Sequence, residues 1–171
     1  MIERGMKAPD FSLPGIVDGQ PDYYDLHRFV GNGHVAVLYF YPTDFVPTIT
    51  PDLQALSDAG WHDRSDVIVW GISSDSLFAH EEYAETRGIE FPLLSDLHVG
   101  IADGYDAILE DWRGHNGVPD RGIVVVDDDW TVASVADLAP LDEPDLKPLV
   151  AAMETVLELR GGSLDDPVYR E

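Results

Sequence analysis

The sequence predicts an α/β sandwich in which a central mixed β-sheet is flanked by helices. Three observations predict it. Residues 35–41, 67–72 and 123–126 are apolar, β-rich runs without alternation, as expected of strands covered on both faces. Helix-start signals follow the first two runs. The third turns at Asp127-Asp128-Asp129 into residues 130–135, so that pair reads as an antiparallel hairpin.

Taken in order, residues 8–14 are extended, with Pro9 and Pro14 blocking helix. Tyr23-Tyr24-Asp25-Leu26 is a short strand before the turn Gly31-Asn32-Gly33. The strand at 35–41 stops at Pro42, and Thr50-Pro51-Asp52 then starts a helix with Thr50 as its cap, proline in the first turn and an early acid. Leu53, Ala55, Leu56 and Ala59 form its apolar side. After the strand at 67–72, Ser76 caps a helix that closes near Arg87-Gly88, where glycine suits the residue past the end. Residues 91–96 lead into a short helix around 99–102. The last helix is expected to begin near Glu143-Pro144-Asp145 and to run to Leu159. One domain over residues 1–160 and a loose polar tail at 161–171 account for the chain, with no repeat or linker. Strand, helix, strand, helix, hairpin, helix is the order of a thioredoxin-like sandwich.

A chain of 171 residues suits one domain, and 44% hydrophobic with 25% charged residues suits a globular one. No apolar stretch approaches the roughly 20 residues that cross a bilayer. The first residues hold no apolar run of the signal-peptide kind, so a cytoplasmic location is expected. Ten basic residues face 33 acidic ones, a formal net charge of -23. Nucleic acid and anionic membranes would repel such a surface and are not expected partners. Lysine is confined to Lys7 and Lys147, aspartate is favoured over glutamate, and the acids are spread along the chain. This is the pattern of a halophilic protein, whose self-repulsion is muted where screening shrinks to about 3 Å at 1 M salt. The absence of cysteine excludes disulfides, thiolate metal sites and a cysteine nucleophile in this chain.

Five segments in order resemble the peroxiredoxins, the alkyl hydroperoxide reductase and thiol-specific antioxidant family. They are Ala8-Pro9-Asp10-Phe11, residues 38–45, residues 69–76 followed by His80, Phe91-Pro92-Leu93-Leu94-Ser95-Asp96, and residues 121–127 beginning Arg121-Gly122. The resemblance covers roughly residues 6–159 and implies a thioredoxin-like fold, an antioxidant oxidoreductase ancestry and a dimer surface. The family's site follows Pro-x-x-x-Thr-x-x-Cys with an arginine from a later strand. On this sequence the proline is Pro42 and the arginine Arg121, but Val46 stands at the threonine and Ile49 at the peroxidatic cysteine. In the family a thiolate attacks the peroxide O–O bond and becomes a sulfenic acid, favoured by the guanidinium and a helix N-terminus. Isoleucine supplies no nucleophile, and valine lacks the hydroxyl that holds the peroxide.

Arg121 has two readings. It contacts an anionic ligand beside Thr48, Thr50 and free backbone N–H groups at the helix start, or it forms a structural salt bridge to Asp44 or Asp52, the favoured reading. His27, His34, His62, His80, His98 and His115 have no metal-ligand spacing, so surface or capping roles are expected and no metal or cofactor. Asp127-Asp128-Asp129 reads as a solvated turn, and Ser73-Ser74-Asp75-Ser76 as a helix cap. Trp112, Arg113, His115 and Asn116 lie in a polar loop before Arg121, and Phe45, Val46, Pro47 and Ile49 offer an apolar patch for a partner or dimer. The favoured function is a redox-inactive binding or interaction module, its partner a protein or a small anionic ligand, with a homodimer expected. The alternative is a peroxidase that works by a cysteine-free route.

Overall fold

The computed structural model describes residues 1–137 and 147–161. In chain order the elements are β1 (Ser12–Val17), β2 (Gln20–Asp25), α1 (Leu26–Val30), β3 (Val35–Phe40), α2 (Thr50–Asp58), a 3₁₀ turn (Trp61–Asp63) and β4 (Val67–Ser73). Then follow α3 (Leu77–Arg87), β5 (Leu93–Ser95), α4 (Gly100–Gly104), β6 (Ile108–Leu109), β7 (Val118–Pro119), β8 (Gly122–Val126), β9 (Val132–Asp137) and α5 (Lys147–Arg160). One mixed sheet of seven strands runs in the order β2-β1-β5-β4-β3-β8-β9. β3, β4 and β5 are parallel, while β8 runs antiparallel to β3, β9 to β8, and β1 to both β5 and β2. This is the thioredoxin-like sandwich.

The unbroken apolar runs become the sheet's centre because both faces are covered. All six residues of β3 and all five of β8 are buried. Successive side chains alternate between faces. Val35, Val37 and Tyr39 pack with Val67, Val69 and Val125 under Leu53 and Leu56 of α2, Tyr83 of α3 and Met153 and Val156 of α5. Ala36, Leu38 and Phe40 pack on the opposite face with Ile68, Trp70 and Val124 against Leu26 and Val30 of α1 and Ala102 of α4. Ser76 caps α3 as expected, its Oγ accepting from the Ala79 N–H at 3.3 Å, and Gly88 closes that helix at φ 70°.

Two local expectations are corrected, at Leu26 and Thr50, and two are sharpened, at Pro14 and Val99. Leu26 opens α1 rather than ending a strand, because its side chain is drawn into the core. Pro14 lies inside β1, opposite Tyr23, so the extended segment forms a sheet strand. The short helix near 99–102 begins at Gly100, with Val99 left-handed at φ 51°. Thr50 does not cap α2: the cap position is Ile49, already helical at φ -88° and ψ -36°, and no side chain accepts a hydrogen bond there. The expected helix start at residues 143–145 and the tail at 162–171 lie outside the described residues, and among the described helices none is long and apolar enough to cross a membrane.

Candidate functional site

Gly122 pairs with Phe40 across β8 and β3, so Arg121 sits at the carboxyl end of β3, where the chain leaves for α2. The four positions at which the peroxiredoxin resemblance puts the site are Pro42, Val46, Ile49 and Arg121, and they do gather around the start of α2. Their chemistry is not that of an open pocket. Ile49 is fully buried in the core cluster, and Val46 packs against the same cluster. Pro42 is buried, and its carbonyl accepts from the Ser74 hydroxyl at 3.2 Å.

The Arg121 guanidinium reaches the first turn of α2. Asp52 Oδ2 accepts from Nε at 3.0 Å and from Nη2 at 2.6 Å, and it also accepts from the Tyr39 hydroxyl at 2.6 Å. Asp52 and Arg121 are among the few charged side chains in the core. Burial alone would depress the Arg121 guanidinium, but Tyr39 and Asp52 outweigh it and hold it above its ordinary value. Tyr39 is pushed well above its ordinary range by burial and by the adjacent Asp52 carboxylate. Of the two acids read as partners for Arg121, Asp52 is the one in contact.

The first-turn amides are engaged as well. Ile49 and Thr50 N–H both donate to the Val46 carbonyl, at 3.0 and 3.3 Å, and Pro51 has none to offer. The chain winds helically before α2 formally begins, so the expected free N–H groups at 49 and 50 are taken. The Thr50 hydroxyl shares a 2.6 Å hydrogen bond with the Tyr83 hydroxyl, and burial raises the Tyr83 phenol to about 12. Thr48 is half-buried. Of the apolar patch, only Phe45 and Pro47 are exposed; Ile49 belongs to the core and Val46 to its margin. Phe45 is held at φ 68°, with its ring 4.9 Å from Tyr83 and 5.8 Å from the Arg87 guanidinium.

A second polar cluster lies on the neighbouring side of the same loop. Asp44 Oδ2 is 2.7 Å from His80 Nδ1, its Oδ1 accepts from the Tyr41 hydroxyl at 2.7 Å, and His80 Nε2 is 3.0 Å from the Leu94 carbonyl. Asp75 Oδ2 accepts from the Asp44 N–H at 2.8 Å and from the Ser73 hydroxyl at 2.5 Å, while its Oδ1 accepts from Thr43 at 2.8 Å. Burial pushes the Asp44 carboxyl up, and the His80 hydrogen bond offsets part of the rise. Asp44, Asp75 and His80 bring three donor atoms within 4.8 Å of one another, yet Asp44 and His80 direct theirs at each other, so the geometry is that of a hydrogen-bonded cluster.

The expectation of surface or capping roles for histidine fails at His80, which has no exposed surface. Sequence reasoning missed this cluster. The signal was present in the position of Asp44 and Asp75 just past two parallel strands that pair Phe40 with Ile72. Elsewhere Trp112 and His115 close a turn of their own through paired backbone bonds of 2.9 and 2.8 Å. Asp127 and Asp128 meet Arg160 at 3.5 and 3.1 Å.

Residues 4–135 match the AhpC/TSA family model. The chain is 28% identical over 138 residues to the 2-Cys peroxiredoxin BAS1 of Hordeum vulgare, covering 75% of this chain and 62% of that protein. It is 32% identical over 132 residues to Peroxiredoxin-2 of Bos taurus, covering 72% of this chain and 63% of that one. The match to the Spinacia oleracea BAS1 protein spans 49% of its length, so the chain covers half to two thirds of these relatives. Among solved structures, peroxidoxin BcpB of Mycobacterium tuberculosis superposes with a TM-score of 0.76 at 25% identity, covering 94% of this chain and 99% of that one.

Proposed function

This chain belongs to the AhpC/TSA family, and since it contains no cysteine we propose that it works without thiol peroxidase chemistry, as a binding or interaction module on the family's fold. The observation that carries this reading is Ile49, which occupies the peroxidatic position and is fully buried in the core. A nucleophile must be reachable by peroxide; a closed-packed isoleucine offers neither a lone pair nor an opening. Val46 against the same core removes the hydroxyl that would hold the peroxide.

The partner favoured is a protein rather than a small anion. Arg121 is engaged by Asp52 and the 49 and 50 amides by Val46, which leaves an incoming anion little to recognise at the old site. The same loop does present Phe45 and Pro47 to solvent, and the partner we favour is a second copy of the chain, forming a homodimer at molar salt in the cytoplasm of a halophile. Family membership supports one competing reading, an antioxidant peroxidase acting by a cysteine-free route. Sedimentation velocity of the pure chain at molar salt, beside a peroxide-consumption assay, tests both. A self-associating chain that consumes no peroxide supports the module; a monomer that turns peroxide over would replace it with the peroxidase.

A further inference from the structure

Trp130 stands where hairpin geometry calls for glycine. The turn joining β8 to β9 is closed by the Trp130 N–H on the Asp127 carbonyl at 3.0 Å and by the Asp127 N–H on the Thr131 carbonyl at 2.9 Å. Residue 130 is left-handed, at φ 68°, the position that a three-residue hairpin loop gives to glycine. A bulky aromatic residue is strained there, and such strain persists only where the surroundings fix it. They fix it on both sides. The Trp130 carbonyl accepts from the Ala8 N–H at 2.8 Å, the Thr131 N–H donates to Asp129 Oδ1 at 2.9 Å, and Asp128 is held 3.1 Å from Arg160.

The residue so placed borders an open cleft of about 480 Å³, lined by Lys7, Ala8, Pro9, Asp10 and Trp130. Ligand clefts measure about 300–1,000 Å³ and combine apolar or aromatic walls with a few polar groups. Here Ala8, Pro9 and Trp130 supply the walls, and the two charges differ in how they are engaged. Asp10 is committed to α1: its Oδ1 accepts from the Phe11 and His27 N–H groups at 2.8 and 3.1 Å, and its Oδ2 lies 3.4 Å from His27 Nδ1. The Lys7 ammonium has no ion pair or hydrogen bond among the described residues. In a chain where 33 acids face ten basic residues, a cation left unpaired beside an aromatic wall is an exception.

We propose that this cleft binds a planar aromatic anion, whose ring stacks on the Trp130 indole and whose carboxylate or phosphate meets the Lys7 ammonium. Stacking accepts any flat ring, so the charge supplies the selection. The site stands apart from the old one. Val126, where β8 enters the turn, pairs with Ala36 near the start of β3, whereas Gly122 beside Arg121 pairs with Phe40 at its other end. An aryl carboxylate and a nucleotide share this chemistry.

The test is titration of the wild-type chain with indole-3-acetate, an aryl carboxylate, and with adenosine 5′-monophosphate, a nucleotide. Molar salt screens the long-range repulsion of the acidic surface. Of the four indole N–H signals in the ¹⁵N spectrum, that of Trp130 should shift and saturate below about 1 mM with at least one of the two. The tighter of the two identifies the source. Lys7→Gln should weaken that binding about fivefold. Trp130→Gly, which suits the left-handed turn, should abolish it. No saturable shift of Trp130 with either anion would overturn the proposal, as would an affinity that Lys7→Gln leaves unchanged. The wild-type titration decides the matter even if Trp130→Gly fails to fold.

Discussion

Arg121 meets Asp52 through a single carboxylate oxygen: Oδ2 lies 3.0 Å from Nε and 2.6 Å from Nη2, with both side chains out of solvent. The contact ties the strand that opens with Gly122 to the first turn of α2, beside Ile49. Of the two sequence readings of Arg121, the structural ion pair is the one observed, and it holds the arginine at the carboxyl end of β3.

Breaking that pair from one side should be costly. Arg121→Met leaves the Asp52 carboxylate buried without its cation, an effect of about 3–5 kcal/mol in comparable settings. Equilibrium unfolding in urea measures it. The double change Arg121→Met with Asp52→Leu should recover much of the loss, because no buried charge remains. A single arginine variant as stable as the wild type would mean the pair does not hold α2 in place.

The sheet was legible in the sequence because β3, β4 and β8 are apolar on both faces, a pattern that survives without knowledge of partners. Ser76 and Gly88 were legible for the same reason, since caps act locally. The five-residue α1 was not: Leu26 follows β-favouring tyrosines, and only tertiary burial turns it inward. Thr50 looked like a cap because its side chain is a good one, yet the Val46 carbonyl already receives the amides at 49 and 50 and the helical winding starts earlier. His80 reads as one histidine among six; its burial depends on Asp44 arriving from another strand end, which no local pattern encodes.

Tyr83 gives an alkaline prediction with a defined sign. Burial raises its phenol to about 12, against an ordinary value near 10. A tyrosine raised in the fold contributes stability that is fully present below about pH 10 and lost as pH climbs through its folded value. Tyr83→Phe should therefore flatten the fall in melting temperature between about pH 10 and about pH 12. An unchanged alkaline profile in that variant would assign the loss to other groups.

The net charge of -23 predicts a steep salt response. Screening at molar salt removes carboxylate repulsion, so the melting temperature should climb from dilute buffer upward. A melting temperature flat across that range would contradict a halophilic surface.

Restoring the two missing groups tests whether the scaffold around them still works. Cysteine is smaller than the isoleucine that fills position 49, so Val46→Thr with Ile49→Cys reopens that position and should give a thiol that consumes peroxide faster than a free thiol and cycles through sulfenic acid. Ile49→Cys alone should be slower, for want of the threonine hydroxyl. The void left by the smaller side chain at a fully buried position costs on the order of 1–3 kcal/mol, which a domain of about 5–15 kcal/mol tolerates. A folded double variant no faster than free thiol would mean that more than two side chains has changed.

The central claim, that this family member does no thiol peroxidase chemistry, meets its most direct test in the wild-type chain itself. The measurement is the rate of hydrogen peroxide loss in the presence of pure protein and a thioredoxin-type reductant at molar salt. The chain lacks cysteine and carries Ile49 closed in the core, so the rate should equal that of the reductant alone. Protein-dependent turnover, scaling with chain concentration, would contradict the claim and establish a cysteine-free peroxidase.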